Sequence, residues 1–186
     1  MEIRPAVLAD LDGLDEIDGT IESSQYLHVE RGGEGLALHW KLEERPLREK
    51  RIERNRPSHE LHFDLKQILS GIEEGLALVA EHENAIVALM LGQPQPQYAT
   101  MKLLDVRVDY DQRRQGLATA MIYQLISEAR NRELRAVFAE CTTDNLPACR
   151  LLSKLGFDLA GLDTQRYTNH DLVKESATLL WYAALD

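Results

Sequence analysis

The stretch Val106-Arg107-Val108-Asp109-Tyr110-Asp111-Gln112-Arg113-Arg114-Gln115-Gly116-Leu117-Ala118 decides the fold. An apolar run from Ala99 to Val108 reads as a strand. Beyond the turn, Leu117, Ala118, Met121, Ile122, Leu125 and Ala129 share one face of a helix over about residues 116–131. A strand therefore passes through a turn holding Gly116 straight into a helix, and such a junction suits phosphate. The first amides of a helix have no intrahelical partner, the helix dipole adds about half a positive charge, and a glycine lets a pyrophosphate approach the backbone. Arg113 and Arg114 add full charges. On this stretch alone, an ordinary exposed strand-to-helix turn with a convenient glycine is an equal reading.

Outward toward the C-terminus, residues 135–141 read as a short strand rich in Ala, Val and Phe. Residues 146–155 follow as a helix with Pro147 at its start and Gly156 at its stop. Residues 157–162 and 177–184 close the chain as two more strands. Toward the N-terminus, Leu76–His82 and Ala85–Leu91 are apolar runs separated by Glu83-Asn84, a turn pair at hairpin spacing. The prolines of Gly92-Gln93-Pro94-Gln95-Pro96-Gln97 predict a loop, because proline cannot continue a ladder.

Residues 2–7 predict a first strand. Leu8, Leu11, Leu14 and Ile17 then recur every third position, with Asp10 placed to favour the N-terminal end of a short helix. Residues 19–72 read as a helical insertion. Between Lys41 and Glu60, twelve of twenty residues are charged, seven positive and five negative. The arginines and lysines suggest a phosphate patch, but the interleaved glutamates largely neutralise them and allow a Glu44 to Arg48 pair, so a solvated surface helix is the reading adopted. Leu61, Leu65, Ile68, Leu69 and Ile72 make one face of a second helix that Gly71 or Gly75 ends. The sum is an α+β domain, residues 1–186, with helices inserted between the strands of a mixed sheet.

Length and charge bound the function. A chain of 186 residues, 44% hydrophobic and 28% charged, has material for one core. A net charge of −10 disfavours nucleic acid and anionic membranes and favours a small cationic guest. Cys141 and Cys149, eight apart, make neither a disulfide framework nor a zinc knuckle and suit a reducing cytosol; both read as packing residues. Of the six histidines only His59 and His62 are closely spaced, with no further ligand, so no metal is expected. No export signal and no apolar run of membrane-spanning length is found, so a cytoplasmic protein is expected. A homodimer is the default association.

A second cluster joins the first. Arg113, Gly116 and Ala118 give R-x-x-G-x-A. One strand later, Asn145 and Ala148 give N-x-x-A, followed by Lys154, Gly156 and Phe157. Together they resemble the GNAT family of acyl-CoA-dependent N-acetyltransferases, and Ile3-Arg4-Pro5-Ala6 is similar to that family's first strand. Asp105-Val106-Arg107-Val108-Asp109, Glu140 and Trp181-Tyr182 look most like its streptothricin acetyltransferases. The resemblance is firm from about residue 75 onward. It implies a mostly antiparallel sheet of six to seven strands that splays between the fourth and fifth, with helices on both faces.

The resemblance also implies site roles. The amides of Arg113, Arg114, Gln115, Gly116, Leu117 and Ala118 would hold the pyrophosphate of acetyl-CoA. Val106 and Val108 would present main-chain groups to its pantetheine arm and thioester. Asn145 would bond that arm, although an N-cap role alone also explains it. A protonated amine must lose a proton before it attacks, so a carboxylate base is wanted, and Glu140 and Asp105 are the candidates beside an exposed-carboxylate reading of each. The Val108 amide would stabilise the developing oxyanion.

One departure stands out. Many members of the family carry a tyrosine seven residues after the asparagine to protonate the departing thiolate, and here that position is Leu152. A thiol of pKa about 8.5 leaves tolerably well without help. Tyr167, just past the sixth strand, could reach the same space, but a partly buried core tyrosine is the reading adopted. The implied function is acetyl transfer to a primary amine of a cationic small molecule such as a streptothricin-like antibiotic, the insertion covering the acceptor. The rival readings are acetylation of a protein N-terminus or lysine, and a non-catalytic acyl-CoA-binding regulatory module.

Overall fold

The computed structural model describes residues 1–185. The first strand, β1 (Glu2–Pro5), leads into a 3₁₀ helix over Leu8–Glu16. A threefold leucine repeat suits three residues per turn better than 3.6, so the predicted helix is of the tighter kind. Leu14 and Ile17 are buried. Asp10 does more than favour the helix start: its carboxylate accepts the Val7 amide at 2.8 Å and both terminal nitrogens of Arg4 at 2.8 and 2.9 Å.

Residues 19–56 correct the sequence reading. In place of a helical insertion, β2 (Ile21–Gly32) and β3 (His39–Glu53) form an antiparallel ribbon, a two-stranded sheet of their own. Pro46 would break a helix interior but sits in this ribbon opposite Gln25. The charges pair at strand spacing, two residues apart on one face: Arg45 with Glu43 at 3.0 Å, and Arg51 with Glu53. The predicted Glu44 to Arg48 pair does not form. Glu44 bonds Arg150 at 2.7 Å, and Arg48 bonds Glu175. Only the second predicted helix is present, as α1 (His59–Leu69), capped by the Ser58 hydroxyl accepting the Leu61 amide at 3.1 Å.

Next come β4 (Leu76–His82), β5 (Ala85–Gln95), β6 (Thr100–Val108), α2 (Leu117–Asn131), β7 (Ala136–Thr142), α3 (Leu146–Lys154), β8 (Asp158–Asp163) and β9 (Thr178–Ala184). The β4–β5 turn is as read: Glu83 and Asn84 both have positive φ, 50° and 64°, as a two-residue primed turn requires. The loop predicted from Gly92 does not start there. β5 continues to Gln95, with Pro94 opposite Met101 of β6. β4 has ended at the Leu76–Gly92 pair, so on that side β5 is an edge, where a proline is tolerated.

Seven strands make one mostly antiparallel sheet in the order β1-β4-β5-β6-β7-β9-β8. The chain falls into two compact units. One comprises Met1–Thr20, Arg54–Ala139 and the chain end from Ala183; the other comprises Ile21–Glu53 and Glu140–Tyr182. In the first unit, Val79 of β4 and Leu89 and Leu91 of β5 bury against Leu14, Ile17, Leu61 and Leu65. Each such side chain contributes about 1.5–3 kcal/mol of burial. α2 packs on β4, β5 and β6 and buries Met121, Ile122, Leu125 and Ala129. Gly92 is small because Leu125 occupies the space its Cβ would need. In the second unit, α3 buries Leu146, Cys149 and Leu152, and β8 pairs with β9.

Candidate active site

In the first unit the geometry begins with pairing along β6. Parallel register joins β6 to β7 only over Thr100–Lys102 and Ala136–Phe138, so Leu103 to Val108 continue outside that ladder, the parting that the splayed fold requires. On its other edge β6 pairs antiparallel with β5. Asp109 donates its amide to the Val87 carbonyl at 2.8 Å. Antiparallel ladders alternate, so Asp105 and Arg107 turn their main-chain groups to β5 while Val106 and Val108 turn theirs to the opposite edge. The two valines singled out in sequence are thus the two that present backbone where β7 has left.

Asp105 and Arg107 share one face of β6. The buried Arg107 donates Nε and Nη2 to the Asp105 carboxylate at 2.6 and 2.8 Å, and Nη1 to the Asn55 carbonyl at 2.9 Å. Both Asp105 oxygens therefore already accept from a cation. Sequence reading overlooked Arg107, although its position two residues after Asp105 was a signal that the two side chains share a face.

The turn is braced from within. The Asp109 carboxylate accepts the amides of Asp18 at 2.9 Å and Asp111 at 3.1 Å, and the Tyr110 amide donates to the Asp18 carbonyl at 2.9 Å. Arg113 does not offer a simple phosphate contact. Its Nε donates to the Val108 carbonyl at 3.0 Å and its guanidinium lies 5.1 Å from the Tyr110 ring centroid. Burial pushes this guanidinium below its usual range, with the Asp18 charge opposing. Arg113 thus fastens the turn.

Past it the chain takes two left-handed residues, Arg114 at φ 65° and Gly116 at φ 82°. Gly116 is the N-cap of α2 and its carbonyl accepts the Ala120 amide at 2.9 Å. As a glycine it offers no capping side chain to the amides of Leu117 and Ala118, which lie in the first turn where no intrahelical acceptor exists. A Cβ built on Gly116 would meet nothing within 4 Å. Conformation and space together make a cradle for an anion, and its chemistry fits the diphosphate of a coenzyme A ester.

In the second unit Glu140 lies on β7, and its carboxylate oxygens are 3.3 and 3.4 Å from Arg166 Nη2. Arg166 belongs to the β8–β9 connection, twenty-six residues away, which no local pattern could reveal. Asn145 is the N-cap of α3, its side chain accepting the Ala148 amide at 3.4 Å. Leu152 is buried in α3. Tyr167 is 70% exposed, a correction to the core position expected of it, because the connection carrying it is held by main-chain and Thr168 bonds to Asp171 and not by the Tyr167 ring. Tyr26 of β2 is buried and its hydroxyl lies 2.7 Å from His28 Nδ1; burial and the Glu175 charge raise its pKa. Among the described residues no helix is long and apolar enough to cross a membrane.

The whole-chain geometry is matched by a crystal structure of nourseothricin acetyltransferase, at a TM-score of 0.80 and 19% identity over 100% of this chain and 98% of that one. A Bacillus anthracis str. Ames protein assigned as streptothricin acetyltransferase, in complex with acetyl coenzyme A, matches at a TM-score of 0.80 and 18% identity, over 100% and 97% of the two chains. These likenesses show the fold. In sequence, 75 residues are 33% identical to streptothricin acetyltransferase of Escherichia coli, 40% of this chain and 43% of that protein, so the match spans less than half the relative's length. Residues 38–157, well over half the chain and including both the Gly116 turn and the Asn145 cap, match the model of the acetyltransferase (GNAT) family; the chain belongs to that family.

Proposed function

We propose that the protein transfers an acetyl group from acetyl-CoA to a primary amine of a small cationic acceptor, with a streptothricin-like antibiotic the leading candidate. Family membership and the streptothricin and nourseothricin relatives support the reaction class. The observation that carries the cofactor is the left-handed, side-chain-free N-cap at Gly116, open where a Cβ would stand.

Acetyl-CoA supplies an acyl group already activated as a thioester. The chain's own residues do the rest. The amides of Gly116, Leu117 and Ala118 would bind the diphosphate, with Arg114 and Gln115 beside them and Arg113 fixing the turn's shape. The outward main chain of Val106 and Val108 would hold the extended arm as an added strand is held. The Val108 amide is also the donor for the carbonyl oxygen as it gains charge. Asn145 would combine its N-cap bond with a contact to the arm.

Glu140 is the base we favour. Its bonds to Arg166 are long and solvent-accessible, so an acceptor ammonium can take the guanidinium's place and then give up its proton to the carboxylate, directly or through water. Asp105 is assigned to bracing, since accepting a proton would cost it a bond to Arg107. Leu152 can donate nothing, and the thiol leaves as thiolate, taking a proton from solvent. The β2–β3 ribbon, in the same unit as Glu140 and Arg166, is the proposed acceptor-covering element. The protein's net charge of −10 draws a cation toward it.

Thiol release from acetyl-CoA, measured with streptothricin, polyamines and peptides as acceptors, tests the reading. Rapid release with streptothricin is expected. Release only with peptides would replace the acceptor class, and cofactor binding without release for any acceptor would favour the regulatory module.

A further inference from the structure

The two cysteines read in sequence as separate packing residues meet in space. Cys141, at the end of β7, and Cys149, in α3, place their sulfurs 3.3 Å apart. The surroundings are asymmetric. Trp181 of β9 donates its indole N–H to Cys141 Sγ at 3.2 Å, and an indole nitrogen can only donate, so Cys141 sulfur is the acceptor of that bond. Cys149 Sγ lies 3.6 Å from the Thr142 carbonyl, an atom that can only accept, and 3.3 Å from Cys141 Sγ, so the Cys149 proton has two acceptors within reach and Cys149 is the thiol that keeps its proton. Cys149 is 2% exposed, whereas Cys141 is partly open to solvent.

We infer that Cys141 and Cys149 form a dithiol site at which Cys141 attacks a hydroperoxide and Cys149 resolves the product into an intramolecular disulfide. The direction of titration runs the same way: hydrogen bonds from Cys149 and then Trp181 lower the Cys141 thiol's pKa against the effect of burial, while the bond to the Cys141 sulfur and then burial raise that of Cys149.

The steps balance. The Cys141 thiolate attacks one oxygen of hydrogen peroxide, the O–O bond breaks, and the departing hydroxide takes a proton to become water, leaving a sulfenic acid. Cys149 sulfur then attacks that sulfur. An S–S bond forms as the S–O bond breaks, and the leaving hydroxide takes the Cys149 proton as a second water. Two thiols and one peroxide give one disulfide and two waters. The two sulfurs, 3.3 Å apart, have to close to a bond of about 2.05 Å. The product ties β7 to α3 across Thr143–Asn145, the turn that carries the Asn145 cap. Nothing in this step depends on acetyl transfer.

Intact-protein mass spectrometry and thiol titration after treatment with hydrogen peroxide test it. The full-length protein should become lighter by two hydrogens and lose both titratable thiols, and dithiothreitol should restore both. Cys149→Ser should accumulate a sulfenic acid that dimedone traps at residue 141. Cys141→Ser should show at least tenfold less adduct and slower oxidation. Limited alkylation of untreated protein should label Cys141 before Cys149. Retention of both thiols under conditions that oxidise free cysteine, disulfide-linked dimers in place of the lighter monomer, or equal adduct in the two serine variants would each overturn the assignment.

Discussion

Asp105 and Arg107, two residues apart on β6, are joined by two hydrogen bonds of 2.6 and 2.8 Å, and the same guanidinium bonds the Asn55 carbonyl at 2.9 Å. One cation thus ties the strand that presents Val106 and Val108 to the segment before α1. Arg107→Met leaves the Asp105 carboxylate and the Asn55 carbonyl without that partner. We expect it to lower unfolding free energy by about 3–5 kcal/mol in urea titrations, the scale for breaking a buried pair from one side.

Asp105→Asn separates bracing from base catalysis. If Asp105 braces, the variant loses stability and some turnover while the pH at half-maximal rate stays with the wild type. A pH–rate profile that loses its acidic limb would instead make Asp105 the base.

Glu140→Gln is expected to reduce kcat by about 10²–10⁴-fold with little change in acetyl-CoA affinity, the usual range for removing a positioned base. Arg166→Ala removes a cation bound to Glu140 and should lower KM for a cationic acceptor several-fold, leaving KM for acetyl-CoA unchanged. A raised acceptor KM in Arg166→Ala would show that Arg166 assists acceptor binding and does not compete with it.

Asp10 gives a pH signature of stability. Hydrogen bonds from Arg4, then the Val7 amide, hold its carboxyl below the usual carboxylate range against the opposing effect of burial. The unfolded carboxyl titrates near pH ~3.9, so the folded state's lower value means stability fully present above about pH 4–5 and lost as pH falls through the folded pKa. Arg4→Met should therefore be less stable than wild type near neutrality, and the gap should narrow on acidification. A gap independent of pH would leave the Arg4 contribution to packing alone.

Much of the fold was legible because local chemistry and tertiary need agree. Glu83-Asn84 reads as a turn since those residues tolerate positive φ, and the leucines of α2 mark one face because that face is buried. The β2–β3 ribbon was not legible. In a run where twelve of twenty residues are charged, opposite signs occur at both strand and helix spacing, and the deciding partners lie across the ribbon or far along the chain, as Glu175 does for Arg48. Pro46 was the overlooked local sign. In the site, the Gly116 turn could be read from a strand-turn-helix pattern, whereas Val106 and Val108 were singled out only by the family resemblance. Arg166 could not be read, because only folding brings it to Glu140, nor could the contact between Cys141 and Cys149.

Gly116→Asp places a carboxylate where the cradle is open and forces a side chain into φ 82°. The conformational cost is at most about 1–2 kcal/mol, because aspartate tolerates the left-handed region better than most residues, so the added charge and bulk carry the effect. Acetyl-CoA affinity should fall at least tenfold in calorimetry, and unchanged affinity would remove the turn from the cofactor site.

The central claim is that the backbone around residue 116 and the open edge of β6 grip a coenzyme A ester. Titrating coenzyme A into ¹⁵N-labelled protein and following individual amides tests it most directly. The account predicts saturable shifts at Gly116, Leu117, Ala118, Val106 and Val108, complete near one equivalent and absent at the α2 N-terminus of Gly116→Asp. Saturable binding that leaves those five amides unmoved, or no binding at all, would contradict it.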